Sequence, residues 1–512
     1  MRRPAGIFTR DDVIHDVVLD CDAIVVGSGA GGGVVASELA EGGLDVIVLE
    51  EGGYHPTEEF APEPGAMTRK LYRDGGASMA IGTPTILYAE GRCVGGSTVI
   101  NGGMSWRTPE KVLDRWYRED HVDGVRDGGL DRYFERVERY ISAAHQDPGT
   151  VGRDNQLLRA GADARGWKVV DNIRDQVHCA GTNNCAFGCP TAAKRSTLVS
   201  YIPRALAFGA RVYSDVKVER IARAGKRIVG VDARVVRANG TRGPKVTVRA
   251  PITVVCAGAI YTPALLMASG IRPPSGALGK NLTLHPNAKV VAVFDENVEG
   301  WKGVHQAYQV REFQDEGFLM AAVTLPPSVL AMSLPRYGDE LHEIIKDYNR
   351  IVSGGILVED TVSGQVRLLP GGMPMAFYQL TDHDAERIVR GTALLAELLF
   401  AAGARKVLMP FDGVPLLRSA DDVRRHVYGH RIPKKHIEVM TVHLMGTARM
   451  GGDPARHVCD AHGKVHDTEG LWVADASLFP SPIGVNPMET IMALATRNAE
   501  RILDHQAHRR AA

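Results

Sequence analysis

The sequence has no apolar stretch long enough to cross a bilayer, no net charge and few cysteines, and each absence removes a class of protein. Without a long apolar run, no membrane-spanning helix is expected. Lys plus Arg and Asp plus Glu each number 60, so neither nucleic acid nor an anionic membrane is called for as a partner. The cysteines number seven: Cys21, Cys93, Cys179, Cys185, Cys189, Cys256 and Cys459. That odd, sparse count argues against a disulfide framework. Behind Arg2 and Arg3, residues 4 to 20 mix polar and apolar and lack the continuous apolar region of an export signal. A cytoplasmic chain is the expectation, although export with a signal-bearing partner would leave no trace.

Glycine is what the chain has in plenty, at 56 of 512 residues, so many turns and close backbone approaches are expected. The length exceeds what one compact core organises and points to two intimately joined domains. Near the N-terminus, the apolar run Asp22 to Val26 leads into Gly27-Ser28-Gly29-Ala30-Gly31-Gly32. Residues Gly33 to Glu41 have helical spacing, and a second apolar run, Val46 to Leu49, ends at Glu50. This is strand, glycine turn, helix, strand, acid, the dinucleotide-binding pattern. Gly27 makes the turn, Gly29 admits a pyrophosphate, and Gly32 lets helix and strand pack closely. The helix N-terminus offers free N–H groups to phosphate, and Ala30 and Gly31 of the turn before it are counted with the cofactor-binding residues. Glu50 is placed to hold a ribose hydroxyl. From this motif alone, FAD and NAD remain equally open.

Two further patterns narrow the choice. Gly91-Arg92-Cys93-Val94-Gly95-Gly96-Ser97-Thr98-Val99-Ile100-Asn101-Gly102 is a small-residue run that suits backbone lying against a flat ligand. Near the C-terminus, His443 to Gly451 is followed by Gly470-Leu471-Trp472-Val473-Ala474-Asp475 and by Gly484-Val485-Asn486-Pro487. Leu471 to Ala474 reads as a buried strand with Asp475 at its end, and Pro487 as the first position of a helix. In these blocks, and in Gly258-Ala259-Ile260-Tyr261-Thr262-Pro263, the chain resembles the glucose–methanol–choline (GMC) oxidoreductases, especially the cholesterol oxidase and long-chain alcohol oxidase branches.

The resemblance implies an α/β fold: a Rossmann-like FAD-binding domain with a sheet-and-helix cap. It assigns 19–115, 190–290 and 440–512 to the FAD domain, 116–189 to connecting helices and a cysteine loop, and 291–439 to the cap. It implies FAD rather than NAD, with Gly95, Gly96, Ser97 and Asn101 along the flavin. Asp475 and Pro487 would lie at its ribityl and ring side, and the Val218 backbone at the adenine. Relatives that bind flavin covalently use a histidine near the glycine loop; here Ile100 and Asn101 stand there, so non-covalent FAD is expected.

For an alcohol substrate the protein must accept a proton while flavin takes a hydride, and histidine suits that task. The family pattern falls on His443 as base and Asn486 as the second group holding the substrate oxygen. His457, His462 and His466 lie in a polar loop and read as solvated.

The segment from His178 to Pro190 places Cys179, Cys185 and Cys189 within eleven residues, in a loop rich in Gly and Asn. Thiols packing a loop explain this; so would a metal site, with His178 as a fourth ligand to zinc. The stretch also resembles the loop of bacterial FAD-dependent glucose dehydrogenases that holds a 3Fe-4S cluster. That likeness implies a dehydrogenase passing electrons to an acceptor protein such as a cytochrome. An oxygen-using oxidase without a cluster and a GMC-fold lyase are the alternatives. The apolar run Phe318 to Leu325 suits either a core strand or a pocket wall. Few charged residues stand out as sugar-binding groups, so a lipophilic alcohol is preferred to a sugar.

Overall fold

The computed structural model describes residues 3–362 and 364–511; Met1, Arg2, Ser363 and Ala512 lie outside the described residues. Ala23–Val26, Val46–Leu49 and Ile252–Val255 are four-residue apolar strands buried along their whole length. Such strands belong at the centre of a parallel sheet covered on both faces. They lie in a six-stranded sheet ordered Ile7–Phe8, Arg211–Tyr213, Val46–Leu49, Ala23–Val26, Ile252–Val255, Leu471–Val473, with every neighbouring pair parallel. From the strand Ala23–Val26 the order runs to Val46–Leu49 on one side and to Ile252–Val255 on the other. A crevice therefore opens at its carboxyl end, where open α/β sheets bind ligands.

The helix Ala30–Glu41 starts at that end. Gly27 ends the strand at φ +96°, a backbone region that side chains rarely adopt. A Cβ on Gly31 would lie 1.6 Å from the Ala474 carbonyl oxygen, so the helix rests directly on the neighbouring strand end. The C-terminal helix Met488–Ala511 packs alongside it. Its Met488, Met492, Ala495, Ala499 and Ile502 recur at helical spacing and share a core with Val34, Val35 and Leu39.

A second, larger sheet stands over this one and holds twelve strands among the described residues. Five of its strands run side by side as Val169–Asp171, Tyr308–Val310, Phe318–Ala322, Ile351–Val358 and Asn287–Val293. Others come from Ser78–Ile81, Ile86–Tyr88, Lys280–Leu282 and Met440–Thr441, so the sheet reaches well outside residues 291–439. Alternation decides its faces. Val290, Ala292, Met320, Ala322, Val352 and Ile356 share a core with Leu395, Leu398 and Leu399 of the helix Asp382–Ala401. The residues between them, including Lys289, Gln309, Ala321 and Gly355, take the opposite face. The Phe318 strand is thus core on one side and, on the other, part of a roof above the glycine crevice.

Candidate active site

The glycine loops meet at the crevice. A Cβ on Gly96 would lie 2.9 Å from the Gly29 Cα, whereas one on Gly29 would find nothing nearer than 3.9 Å. The helix behind Gly29 has no side-chain cap, which leaves its first-turn N–H groups free for an anion. Ser28 ties the loops together. Its hydroxyl donates to Glu50 Oε2 (2.7 Å) and accepts from the Gly95 N–H (2.9 Å). These features fit a dinucleotide laid across the crevice.

Glu50 is busier than the sequence suggests. Its Oε2 also accepts from the Ser28 N–H (3.0 Å), and Oε1 accepts from the Gly52 N–H (2.8 Å). Burial raises its carboxyl pKa. Burial also opposes the charge of its neighbour Glu51, yet Arg73, Lys217 and Arg92 together hold that carboxyl at about 2. Val218 lies on the strand Val216–Ala224 opposite Ala233, just before a register break, and next to Lys217, whose Nζ is 3.4 Å from Glu51.

Ser97 accepts from the Gly91 N–H (3.0 Å) and closes its own loop. The Asn101 side chain donates to Met488 Sδ (2.9 Å) and accepts from Lys194 Nζ (3.1 Å). Asp475 sits at the end of Leu471–Val473, and its carboxylate is committed to the protein. It accepts from the Gly258 N–H (2.9 Å), the Ser477 N–H (2.8 Å) and the hydroxyls of Thr262 and Ser477. Pro487 immediately precedes the C-terminal helix and accepts there from the Ile491 N–H (3.0 Å).

His443 and Asn486, 43 residues apart, come together: His443 Nε2 lies 3.5 Å from Asn486 Nδ2. Each is held from behind by a residue the sequence did not flag. Gln309 Nε2 donates to Asn486 Oδ1 (3.3 Å), and Arg311 donates twice to Gln309 Oε1 (3.1 and 3.0 Å), which fixes the direction of both amides. His285 Nδ1 lies 3.3 Å from His443 Nδ1, with the rings edge to face. The Gly484 N–H donates to His285 Nε2 (3.1 Å), so neutral His285 carries its hydrogen on Nδ1 and donates it to His443. Burial keeps His443 neutral down to about 4, and burial together with the neighbouring His443 pushes His285 well below its usual value. Gln309 and Arg311 could have been suspected only from their i, i+2 spacing at the strand Tyr308–Val310, Arg311 just past its end. His285 stands in a His-Pro pair without motif context.

Three histidines correct the sequence reading. His457 is buried, with Nε2 3.0 Å from Asp120 and Nδ1 3.0 Å from the Asp453 carbonyl. His462 and His466 are only partly exposed, and each has a buried ring nitrogen without a hydrogen-bond partner. Their loop is polar in composition but folds against the helix Glu110–Asp120 and the sheet edge.

Cys179, Cys185 and Cys189 line one cavity together with Arg174 and Lys194. Each sulfur accepts a hydrogen bond: from the Gly181 N–H (3.4 Å), Arg174 Nη2 (3.5 Å) and the Lys194 N–H (3.4 Å), respectively. Among the described residues, however, no group of three or more His, Cys, Asp or Glu side chains is placed to hold a metal ion. The three cysteines are in no disulfide. No helix among the described residues is long and apolar enough to cross a membrane.

A Rossmann-like crevice beneath a second sheet, with His443 and Asn486 brought together in the same chain, fits a flavoenzyme-type oxidoreductase. The chain belongs to the GMC oxidoreductases, enzymes acting on CH–OH donors: the family's N- and C-terminal models match residues 68–287 and 361–495. It is 36% identical over 497 residues, 97% of both chains, to an uncharacterized GMC-type oxidoreductase of Sinorhizobium fredii. It is 30% identical over 525 residues to a long-chain-alcohol oxidase of Arabidopsis thaliana, covering 97% of this chain and 69% of that one. Among solved structures, pyridoxine 4-oxidase from Mesorbium loti superposes with a TM-score of 0.70 at 18% identity, covering 94% and 99% of the two chains. A formate oxidase from Aspergillus oryzae gives 0.73 at 16%, covering 96% and 99%. At such identities these two report the shared fold.

Proposed function

We propose that the chain binds FAD non-covalently and oxidises an alcohol to a carbonyl, with His443 taking the hydroxyl proton. FAD, when bound, supplies the hydride acceptor, chemistry that no side chain offers. The observation that carries the reading is that His443 Nε2 and Asn486 Nδ2 lie 3.5 Å apart, with Met488, two residues after Asn486, hydrogen-bonded to Asn101 of the glycine loop. A substrate oxygen beside them would lie within reach of both. Gln309 and Arg311 hold the Asn486 amide so that its N–H faces that oxygen. For His443 to act as base, its Nε2 must be unprotonated and its Nδ1 must donate to His285. That form turns the His285 Nε2 hydrogen toward the Gly484 N–H, which loses its acceptor, at a cost of about 1–3 kcal/mol.

The resemblance to long-chain-alcohol oxidases supports an alcohol as substrate. The three sulfurs that share a cavity, each receiving an N–H, favour a second element of the reading. Such bonds stabilise thiolates, and a polynuclear cluster spreads its ligands more widely than a single ion does. Cys179, Cys185 and Cys189 would then hold a 3Fe-4S cluster, and a cytochrome-like protein would be the electron acceptor.

The test is an anaerobic alcohol panel scored by bleaching of the flavin absorbance, followed by admission of oxygen. Bleaching by an alcohol is expected; a flavin that no alcohol bleaches points to the lyase alternative. Rapid reoxidation by oxygen marks an oxidase. Iron and labile sulfide analysis on anaerobically purified protein decides the thiol loop, and the absence of both returns it to free thiols.

A further inference from the structure

The roof of the site carries a cation without a counter-ion. Lys289 is 8% exposed, lies on the strand Asn287–Val293, and takes part in no salt bridge among the described residues. Its ammonium donates to a thioether, Met440 Sδ. Burial lowers its pKa to about 8. Burying an ammonium without an anion is costly, and a polar group normally finds a partner in the fold.

Strand register shows which way this face looks. Gln309 pairs with Ala321, Ala321 with Gly355, and Gly355 with Lys289. Directly paired residues share a face. Gln309 holds Asn486, so Lys289 looks toward the same space as the reacting groups. The two residues between them are the smallest available, alanine and glycine. The same face holds two more unsatisfied groups: Ser353 Oγ, a hydroxyl able to donate to an anion, and Asn287 Oδ1, an acceptor that suits a donor of the ligand, are buried without a hydrogen-bond partner. The Asn287 carboxamide lies over Gly355, 3.0 Å from where a Cβ would stand. Lys289 is also among the three cations, with Arg174 and Lys194, that lower the His305 pKa beyond the effect of burial, and His305 lies 3.2 Å from a Cβ built on Gly102 of the flavin loop.

We infer that the alcohol oxidised here carries an anionic group, a carboxylate or a phosphate, which is seated on Lys289 with the Ser353 hydroxyl beside it. This rests on the alcohol-oxidising reading and narrows it away from a purely lipophilic substrate. The separation is set by the fold. Met440, the contact of Lys289, stands three residues before His443 with a bend at Val442 between them, so the two lie at most about 10 Å apart along the chain. The anion therefore lies several carbons from the carbinol, as in an ω-hydroxy acid of medium length.

The experiment compares ω-hydroxyoctanoate, ω-hydroxyoctyl phosphate and octanol as anaerobic reductants of the FAD-loaded full chain. Wild type, Lys289→Met and Lys289→Arg are compared, and octanoate and octanamide are titrated as non-reacting ligands by their perturbation of the flavin spectrum. In wild type, kcat/KM for one of the anionic alcohols should exceed that for octanol by about 10- to 100-fold, the worth of a charge-assisted contact. The better of the two identifies the anion. In Lys289→Met that ratio should fall to near one, and Lys289→Arg should restore most of it. A wild-type ratio near one, or a ratio unmoved by Lys289→Met in flavin-loaded protein, overturns the inference while leaving alcohol oxidation intact. Conversely, octanoate binding that needs Lys289 in a protein reduced by no alcohol keeps the anion site and removes the alcohol-oxidising reading.

Discussion

Asp475→Asn isolates how the end of the strand Leu471–Val473 is held. The carboxylate accepts four hydrogen bonds, two on each oxygen: the Gly258 N–H and the Thr262 hydroxyl on Oδ2, the Ser477 N–H and the Ser477 hydroxyl on Oδ1. Asparagine keeps the shape but turns one oxygen into an NH2 group. A hydroxyl facing that group can rotate and accept; a backbone N–H cannot. Whichever way the amide is set, one buried N–H faces another and loses its acceptor, which costs about 1–3 kcal/mol. Burial raises the Asp475 pKa, so the charged form already bears a desolvation cost that asparagine escapes. The net loss should lie toward the lower end, about 1–2 kcal/mol. Urea unfolding of FAD-loaded protein at fixed FAD concentration, followed by far-UV circular dichroism, should show a lower midpoint and an unchanged slope. Asp475→Ala, which removes both acceptor oxygens and so all four hydrogen bonds, should be clearly worse than Asp475→Asn. An asparagine variant with the wild-type midpoint, or an alanine variant no worse than asparagine, would refute this account.

Other substitutions probe the neighbouring groups. His443→Ala should lower turnover by ~10²–10⁴ with flavin still bound, and unchanged turnover removes His443 from the role. His285→Gln keeps an acceptor for the Nδ1 hydrogen that His443 must donate when it acts as base, whereas His285→Leu offers neither acceptor nor donor; turnover should fall further in the leucine variant, with flavin content equal in the two. Because His443 is neutral down to about 4, against its ordinary 6.5, the acid limb of kcat/KM for an uncharged alcohol should lie near pH 4. A limb near 6.5 contradicts the buried setting. The sign for stability is the same. The unfolded chain binds more protons than the fold between these values, so the contribution is full above pH 6.5 and is lost as pH falls toward 4. Gly31→Ala would drive a methyl group to 1.6 Å from the Ala474 carbonyl, and should cost flavin content and stability together in absorbance and urea assays.

The nucleotide end was legible because local rules act there within one stretch of chain. The strand Val46–Leu49 fell where its apolar run put it, and the helix began only three residues before the expected Gly33. The pairing of His443 with Asn486 was readable through a family pattern, since nothing local links positions 43 residues apart. Gln309, His285 and Lys289 were not readable, because their meaning comes from register across strands drawn from distant segments. His457 misled because composition is a poor guide to burial when a polar loop brings its own partner, here Asp120.

The ammonium of Lys194 donates to the carbonyls of Val99, Asn101 and Cys185 and is itself buried. One side chain therefore rivets the glycine loop, proposed to border the flavin, to the loop that carries the thiols. The two cannot loosen independently: opening either one strands a charge in the interior. Hydrogen exchange at the amides of the two segments should consequently rise and fall as one unit, and chemical damage to the thiols should be felt at the flavin as a mechanical change before any electron moves.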